Sequence, residues 1–113
     1  MSPLEEGIAR FNAQEFWHAH ESWEREWLTA AAPHKQFLQG LIQLAAAYHH
    51  VQRGTYRGGV RLFDAALRKL EPFPEGYAGV DRAEAVESAA RHRERIAREE
   101  RIEPGELPKL RYN

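Results

Sequence analysis

The feature of the sequence that most constrains the fold is the stretch of residues 34–53, which lies between Pro33 and Gly54. Glycine is common where a helix ends in the left-handed conformation. Apolar residues occur on most sides of a helix drawn through this stretch: Phe37, Leu38, Leu41, Ile42, Leu44, Ala45 and Tyr48. A helix that is apolar on most sides is covered by its neighbours. The sequence therefore predicts a central helix with other helices packed around it.

Capping residues predict two helices before the central one. Ser2, with Pro3 after it and a glutamate three residues on, is typical of a helix start. Asn12 also has a glutamate three residues later. It is the expected cap of a second helix over about residues 13–29, which residues 30–33 close.

Two further helices are predicted after the central one. Thr55 is the expected cap of a fourth helix over residues 57–70, where Gly58 and Gly59 permit close helix packing. The proline-rich residues 72–76 form a loop.

A fifth helix completes the predicted set. Asp81 and Glu84 have the cap spacing once more, and the helix should reach about Ile102. An irregular tail is expected from about residue 104, where a proline and a glycine stop the helix. Because no stretch shows sustained strand alternation, the fold class is all-α.

An internal repeat indicates how the helices are arranged. Two segments share an aromatic, a small and an aromatic residue at identical offsets, Phe16-x-x-Ala19-x-x-x-Trp23 and Tyr56-x-x-Gly59-x-x-x-Phe63. The second segment resembles the second helix of a tetratricopeptide repeat. We therefore expect a compact bundle of about five helices: two stacked tetratricopeptide-like hairpins plus a capping C-terminal helix. A chain of 113 residues has room for one such domain, 1–113.

Composition narrows the function classes. With 16 basic and 17 acidic residues the net charge is −1, which disfavours nucleic-acid and membrane-surface partners. The absence of cysteine excludes disulfides and thiolate chemistry. No window approaches the ~20 apolar residues of a membrane span, so a cytoplasmic protein is expected. Arginines and glutamates mix along the fifth helix, which favours an ion-paired surface over an RNA-binding strip.

Polar residues on the second helix are the first candidates for a site. His20 and Glu24 fall inside an apolar arc of roughly 140° that also holds tryptophans. Burying an uncompensated carboxylate costs several kcal/mol, so Glu24 needs a partner.

The central helix carries a matching stripe. Gln39, Gln43 and His50 fall within about 40° of one another around that helix. The stripe either is the solvent face of the helix or has an inward role. His49 lies nearer the apolar side and is the alternative inward histidine.

Residues 20–24 also resemble a metal-binding motif. They read H-E-x-x-E, one residue type away from the H-E-x-x-H helix of zinc enzymes. Residues four apart on a helix can converge on one ion, and Glu21 would then act as a base toward bound water. A hydrogen-bonded core network explains the same pattern and is the preferred interpretation of these five residues alone.

Longer motifs resemble a known family. They are Phe11-Asn12, Ala19-His20-Glu21-x-x-Glu24-x-x-Trp27, the unbroken run Phe37-Leu38-Gln39-Gly40-Leu41-Ile42-Gln43, then Ala45, His50 and Gly54. Over about residues 8–70 the chain is similar to the family catalogued as domain of unknown function number three hundred and nine. The resemblance implies an all-helical fold and a predicted metal-dependent hydrolase. It selects one polar set: His20, Glu21, Glu24, Gln39, Gln43 and His50.

Two main functions follow from these residues. The first is a non-catalytic helical module that binds a small molecule or a peptide, with the polar set fixing the core or holding the ligand. The second is a metal-dependent hydrolase with Glu21 as catalytic base and zinc, iron or manganese bound by His20, Glu24 and His50. A metal-free acid/base site at Glu24 and His20 is a third hypothesis. The tryptophans of the second helix favour a homodimer.

Overall fold

The computed structural model describes all residues, Met1–Asn113, and five helices dominate it. They are α1 (Pro3–Asn12), α2 (Phe16–Trp27), α3 (His34–Arg53), α4 (Tyr56–Leu70) and α5 (Ala83–Ala97). Single 3₁₀ turns cover Tyr77–Gly79 and Pro104–Glu106. The two-residue strands β1 (Val80–Asp81) and β2 (Arg111–Tyr112) pair antiparallel. The all-α bundle predicted from the sequence is confirmed. No helix combines the length and the apolar character needed to cross a membrane.

Helix α3 is the centre of the bundle, as its apolar circumference predicted. It packs between α2 and α4, while α1 packs on α2 and α5 packs on α4. Consecutive helices are therefore neighbours throughout. The closer likeness to tetratricopeptide hairpins stays a prediction, because many helical folds share consecutive packing.

One residue of α3 connects the whole core. The ring of Tyr48 lies 6.0 Å from that of Phe11 on α1, 5.4 Å from Phe16 on α2 and 4.9 Å from Phe63 on α4, measured between centroids. Its hydroxyl lies 2.8 Å from Nδ1 of His92 on α5. Tyr48 is fully buried. Its ring and its hydroxyl together contact each of the other four helices.

The ends of α1 and α3 follow local sequence signals. The hydroxyl of Ser2 accepts a hydrogen bond from the backbone N–H of Glu5 at 3.2 Å, and Pro3 is the first helical residue. Gly54 ends α3 at φ 73°, the left-handed conformation that glycine adopts without strain.

The prediction that Asn12 caps α2 is wrong. Asn12 is the last residue of α1, and α2 spans Phe16–Trp27 rather than residues 13–29. The Asn12 side chain instead donates to the carbonyl of Leu110 at 2.7 Å and accepts from its N–H at 2.8 Å. The local cap spacing therefore did not indicate the contact of Asn12 with Leu110, near the other end of the chain.

The start of α5 also differs from the prediction. Asp81 lies in β1 and caps nothing. The carboxylate of Glu75 accepts hydrogen bonds from the backbone N–H groups of Arg82, at 2.9 Å, and Ala83, at 2.6 Å. These are the free donors of the first turn, so a residue from the preceding loop caps the helix.

The C-terminal segment is more ordered than the predicted irregular tail. Helix α5 ends at Ala97, well before Ile102. A 3₁₀ turn and strand β2 follow, and β2 pairs Tyr112 with Val80 and Arg111 with Asp81. A two-residue strand is too short to give an alternation pattern in the sequence.

Close approach of α4 to its neighbours depends on glycines. A Cβ atom at Gly59 would lie 2.9 Å from Cδ1 of Ile96 on α5. A Cβ atom at Gly40 of α3 would lie 2.8 Å from Cδ2 of Leu70 and 3.1 Å from Cβ of Lys69. The end of α4 therefore lies directly against the middle of the Phe37–Gln43 run.

We expect Asn12→Ala to destabilise the fold by about 1–2 kcal/mol, because both hydrogen bonds to Leu110 are lost. Urea unfolding followed by circular dichroism measures this change. Asn113→Ala is the matched control, because Asn113 is exposed and its one contact uses the backbone. Equal stability of the two variants would contradict the structural role of Asn12.

Candidate binding site on helices α2, α3 and α4

A cleft of about 360 Å³ opens where α2, α3 and α4 meet. We call it the lysine cleft, and its lining residues are Trp27, Lys35, Gln36, Gln39, Gln43 and Lys69. Gln39 and Gln43 are half-buried there, with Trp27 of α2 on one side and Lys69 of α4 on the other. The glutamine stripe of α3 is therefore the floor of a cleft.

Local packing positions both lysines of this cleft. Lys35 Nζ lies 4.2 Å from the centroid of the Trp27 ring, a cation–π contact between the start of α3 and the end of α2. Lys69 reaches the same cleft because Gly40 lets the last turn of α4 approach α3 closely. No acidic residue lines the cleft.

Two buried polar atoms on α2 and α3 have no hydrogen-bond partner, and only the second belongs to a residue that lines the cleft. They are Nδ1 of His20 on α2 and Oε1 of Gln43 on α3. Nε2 of His20 lies 3.3 Å from the Glu24 carboxylate, and in the tautomer with its proton on Nε2 the Nδ1 atom is an acceptor. An unpaired buried acceptor costs about 1–3 kcal/mol. Both atoms therefore lack an N–H or O–H donor.

His20 belongs to an aromatic group that we call the ring cluster: Trp17, His20 and His49. Its ring stacks on Trp17 at 4.7 Å, and Trp17 lies 5.2 Å from His49, measured between centroids. The pKa of His49 is lowered mainly by burial and further by nearby positive charges, among which Arg53 has the largest effect. His49 is thus the histidine of α3 that faces α2.

His50 lies on another side of α3 and has its own partner. Its Nδ1 is 2.6 Å from the hydroxyl of Thr55, and its ring would meet a Cβ atom at Gly58. Thr55 stands at the cap position of α4 but makes no capping hydrogen bond. The prediction that its hydroxyl caps α4 is therefore wrong.

Glu21 and Glu24 are both accessible to solvent. The Glu24 side chain is 45% exposed and has His20 as its partner, so it is not a carboxylate buried among tryptophans. Trp17, which was expected beside it on the apolar face, is 48% exposed. Glu21 pairs at 3.3 Å with His18, and both of these side chains are more than half exposed.

The residues do not fit the metal centre that the family resemblance implied. His20 pairs with Glu24, whereas Nδ1 of His50 contacts Thr55. No group of three or more histidine, aspartate or glutamate residues is placed to hold one ion. The structure thus does not bring His20, Glu24 and His50 together as ligands.

Sequence reasoning missed two other histidine contacts. Nε2 of His34 lies 2.7 Å from the Glu26 carboxylate, and Nδ1 of the same ring lies 3.2 Å from the hydroxyl of Tyr77. His92 is buried against Tyr48. Only the tertiary fold brings these residues together, and no spacing in the sequence could have indicated them.

The arginines of α5 form ion pairs. Arg93 contacts Asp64 on α4 through two hydrogen bonds, at 2.9 and 3.1 Å. Arg95 lies 2.6 Å from Glu106. In both pairs the arginine lowers the pKa of the carboxylate through a side-chain hydrogen bond.

The chain forms an all-helical bundle with a polar cleft along its central helix. The model of the family described as a domain of unknown function (DUF309) matches residues 4–62, just over half of the chain. The chain belongs to this family. The match includes the glutamines of the lysine cleft and ends before Lys69. The comparison with curated proteins finds no matching sequence.

We expect the stability to fall as the pH drops from 7.5 to 5.5. Burial lowers the pKa of His92, with Arg95 adding to the effect, so the folded state binds this proton less readily than the unfolded chain does. The unfolded chain takes up a proton as the pH falls below about 6.5, and stability is lost in that window. One histidine accounts for at most about 1.4 kcal/mol per pH unit.

Urea unfolding at both pH values measures this loss. In His92→Gln the loss should be smaller, whereas His18→Gln, at an exposed position, should behave like the unmodified protein. An unchanged pH dependence in His92→Gln would show that other groups cause it.

Proposed function

We propose that this protein is a non-catalytic binding module that holds a short extended peptide along the seam between α2 and α3. The two unpaired acceptors, Nδ1 of His20 and Oε1 of Gln43, carry the proposal, because they lie on the two helices that form this seam. Backbone N–H groups of a peptide are donors of the kind that both atoms lack.

The geometry of the seam suits an extended chain. Trp17 contacts His49 at one end and Trp27 contacts Lys35 at the other, so α2 and α3 run antiparallel. From Gln39 to His49 helix α3 rises about 15 Å, at 1.5 Å per residue. An extended peptide covers this length with about four or five residues.

The surroundings support binding rather than catalysis. Glu21, the candidate base, pairs with an exposed histidine, and His50 is engaged with Thr55. Trp17 is an exposed ring beside His20, which suits packing against a ligand side chain. No comparable feature favours a hydrolase.

We include the tetratricopeptide-like arrangement in this proposal. In the internal repeat of this sequence, Gly59 occupies the small-residue position. In a tetratricopeptide repeat the small residue at this position allows the neighbouring helix to pack closely. Gly59 lies against Ile96 of α5, which supports that interpretation.

An NMR titration tests the proposed function. The probe is a pool of random decapeptides, acetylated and amidated at their ends, added to ¹⁵N-labelled protein. We expect saturable shifts of the Gln43 side-chain amide and of the Trp17 and Trp27 indole signals. Loss of one hydrogen bond, about 1 kcal/mol, should weaken binding about fivefold in Gln43→Met.

Gln52→Met is the matched control, because Gln52 is exposed near the end of α3 and lies outside the lysine cleft. It should bind the pool with unchanged affinity. Absence of shifts at His20, Gln43 and both tryptophans at millimolar peptide would contradict the proposed function.

A further inference from the structure

The lysine cleft carries positive charge that nothing in the chain neutralises. Every ion pair uses an arginine or a histidine as its cation, and no lysine takes part in one. Two of the three lysines of the chain, Lys35 and Lys69, line this one cleft.

The nearest carboxylates on α2 are already engaged. Glu24 pairs with His20, and Glu26 pairs with His34 at 2.7 Å. Glu71, close to Lys69 in the sequence, lines a different cleft between α4 and α5. The two ammonium groups therefore face a cleft whose other polar groups are the side-chain amides of three glutamines.

We propose that the lysine cleft binds a carboxylate of the peptide ligand. This inference rests on the proposed function and assigns one end of the peptide to one end of the seam. A carboxylate accepts charge-assisted hydrogen bonds from both lysines and further bonds from glutamine amide nitrogens. The Trp27 ring offers an apolar wall for the adjoining carbon atoms.

The unpaired Gln43 oxygen favours a terminal carboxylate. The last residue of a peptide presents a backbone N–H only two bonds from its carboxylate carbon. The Gln43 oxygen is buried, so a rotation of its amide group would bring it to that N–H while the lysines hold the carboxylate. The cleft contains no arginine, the side chain that matches phosphate in a bidentate manner. These features favour a carboxylate over a phosphate group.

Small matched probes separate these chemistries. N-acetylglycine carries an N–H and a terminal carboxylate, N-acetylaspartate α-amide carries a side-chain carboxylate, and N-acetylglycinamide is neutral. Each is titrated into ¹⁵N-labelled protein while the Trp27 indole and the glutamine amides are followed. We expect N-acetylglycine to bind at least fivefold more tightly than the neutral amide, with an affinity that falls as salt is added.

Lysine variants test the assignment within the chain. Lys69→Met should weaken N-acetylglycine binding at least fivefold. Lys109→Met is the matched control, because this third lysine lies beside Asp81 and Glu84 in another cleft. It should leave the binding unchanged, and unfolding curves of both variants show whether the fold is intact.

The outcomes distinguish this inference from the proposed function. Equal binding of N-acetylglycine and its amide, or tighter binding of inorganic phosphate, would overturn the carboxylate assignment. Preference for the aspartate probe would keep the carboxylate and overturn the terminal position. If the blocked decapeptides bind while carboxylates do not, the inference fails alone. Carboxylate binding without decapeptide binding would keep the cleft and contradict the peptide seam.

Discussion

The phenol ring of Tyr48 contacts all four other helices from its position on α3. Burial raises the pKa of its hydroxyl far above the usual range, so the group stays protonated, 2.8 Å from Nδ1 of His92. Burial also lowers the pKa of His92 and so favours its neutral form. The hydrogen bond thus satisfies two buried polar groups that would each be costly if left alone. The arrangement of α1, α2, α4 and α5 around α3 depends on this contact.

Because Tyr48 occupies the core side of α3, only the remaining sides of this helix are available for contacts outside the core. With the core side filled by aromatic and aliphatic residues, the glutamine stripe lies along the cleft between α2 and α4. There Gln43 is half-buried with an unpaired oxygen, and His20 of α2, outside the cleft, has an unpaired nitrogen. A fold selected for stability alone would have apolar residues at these positions. We therefore interpret them as residues kept for a partner.

The sequence predicted those elements that are determined locally. The apolar circumference and Gly54 sufficed to predict α3. Ser2 and Pro3 sufficed to predict the start of α1. The polar set found by residue angles did include two of the three glutamines that line the cleft. Hydrophobic periodicity and caps act within one or two turns, so they suffice for such elements.

The remaining features depend on contacts between distant residues. Asn12 bonds to Leu110 instead of capping α2, and Glu75 rather than Asp81 caps α5. Lys69 joins the cleft only because Gly40 lets α4 approach. The contact of Trp17 with His49 determines which of the two adjacent histidines faces α2. Each outcome is a competition between a local partner and a tertiary one, which spacing along the chain cannot resolve.

The stability of Gln43→Met tests the central claim most directly. If Gln43 is kept for a partner, replacing its unpaired amide with an apolar side chain of similar size should leave the free energy of unfolding unchanged or raise it by about 1 kcal/mol. Urea unfolding of Gln43→Met beside the unmodified protein measures the difference. A loss of more than about 2 kcal/mol would show that Gln43 serves the hydrogen bonding of the fold itself and would contradict the account.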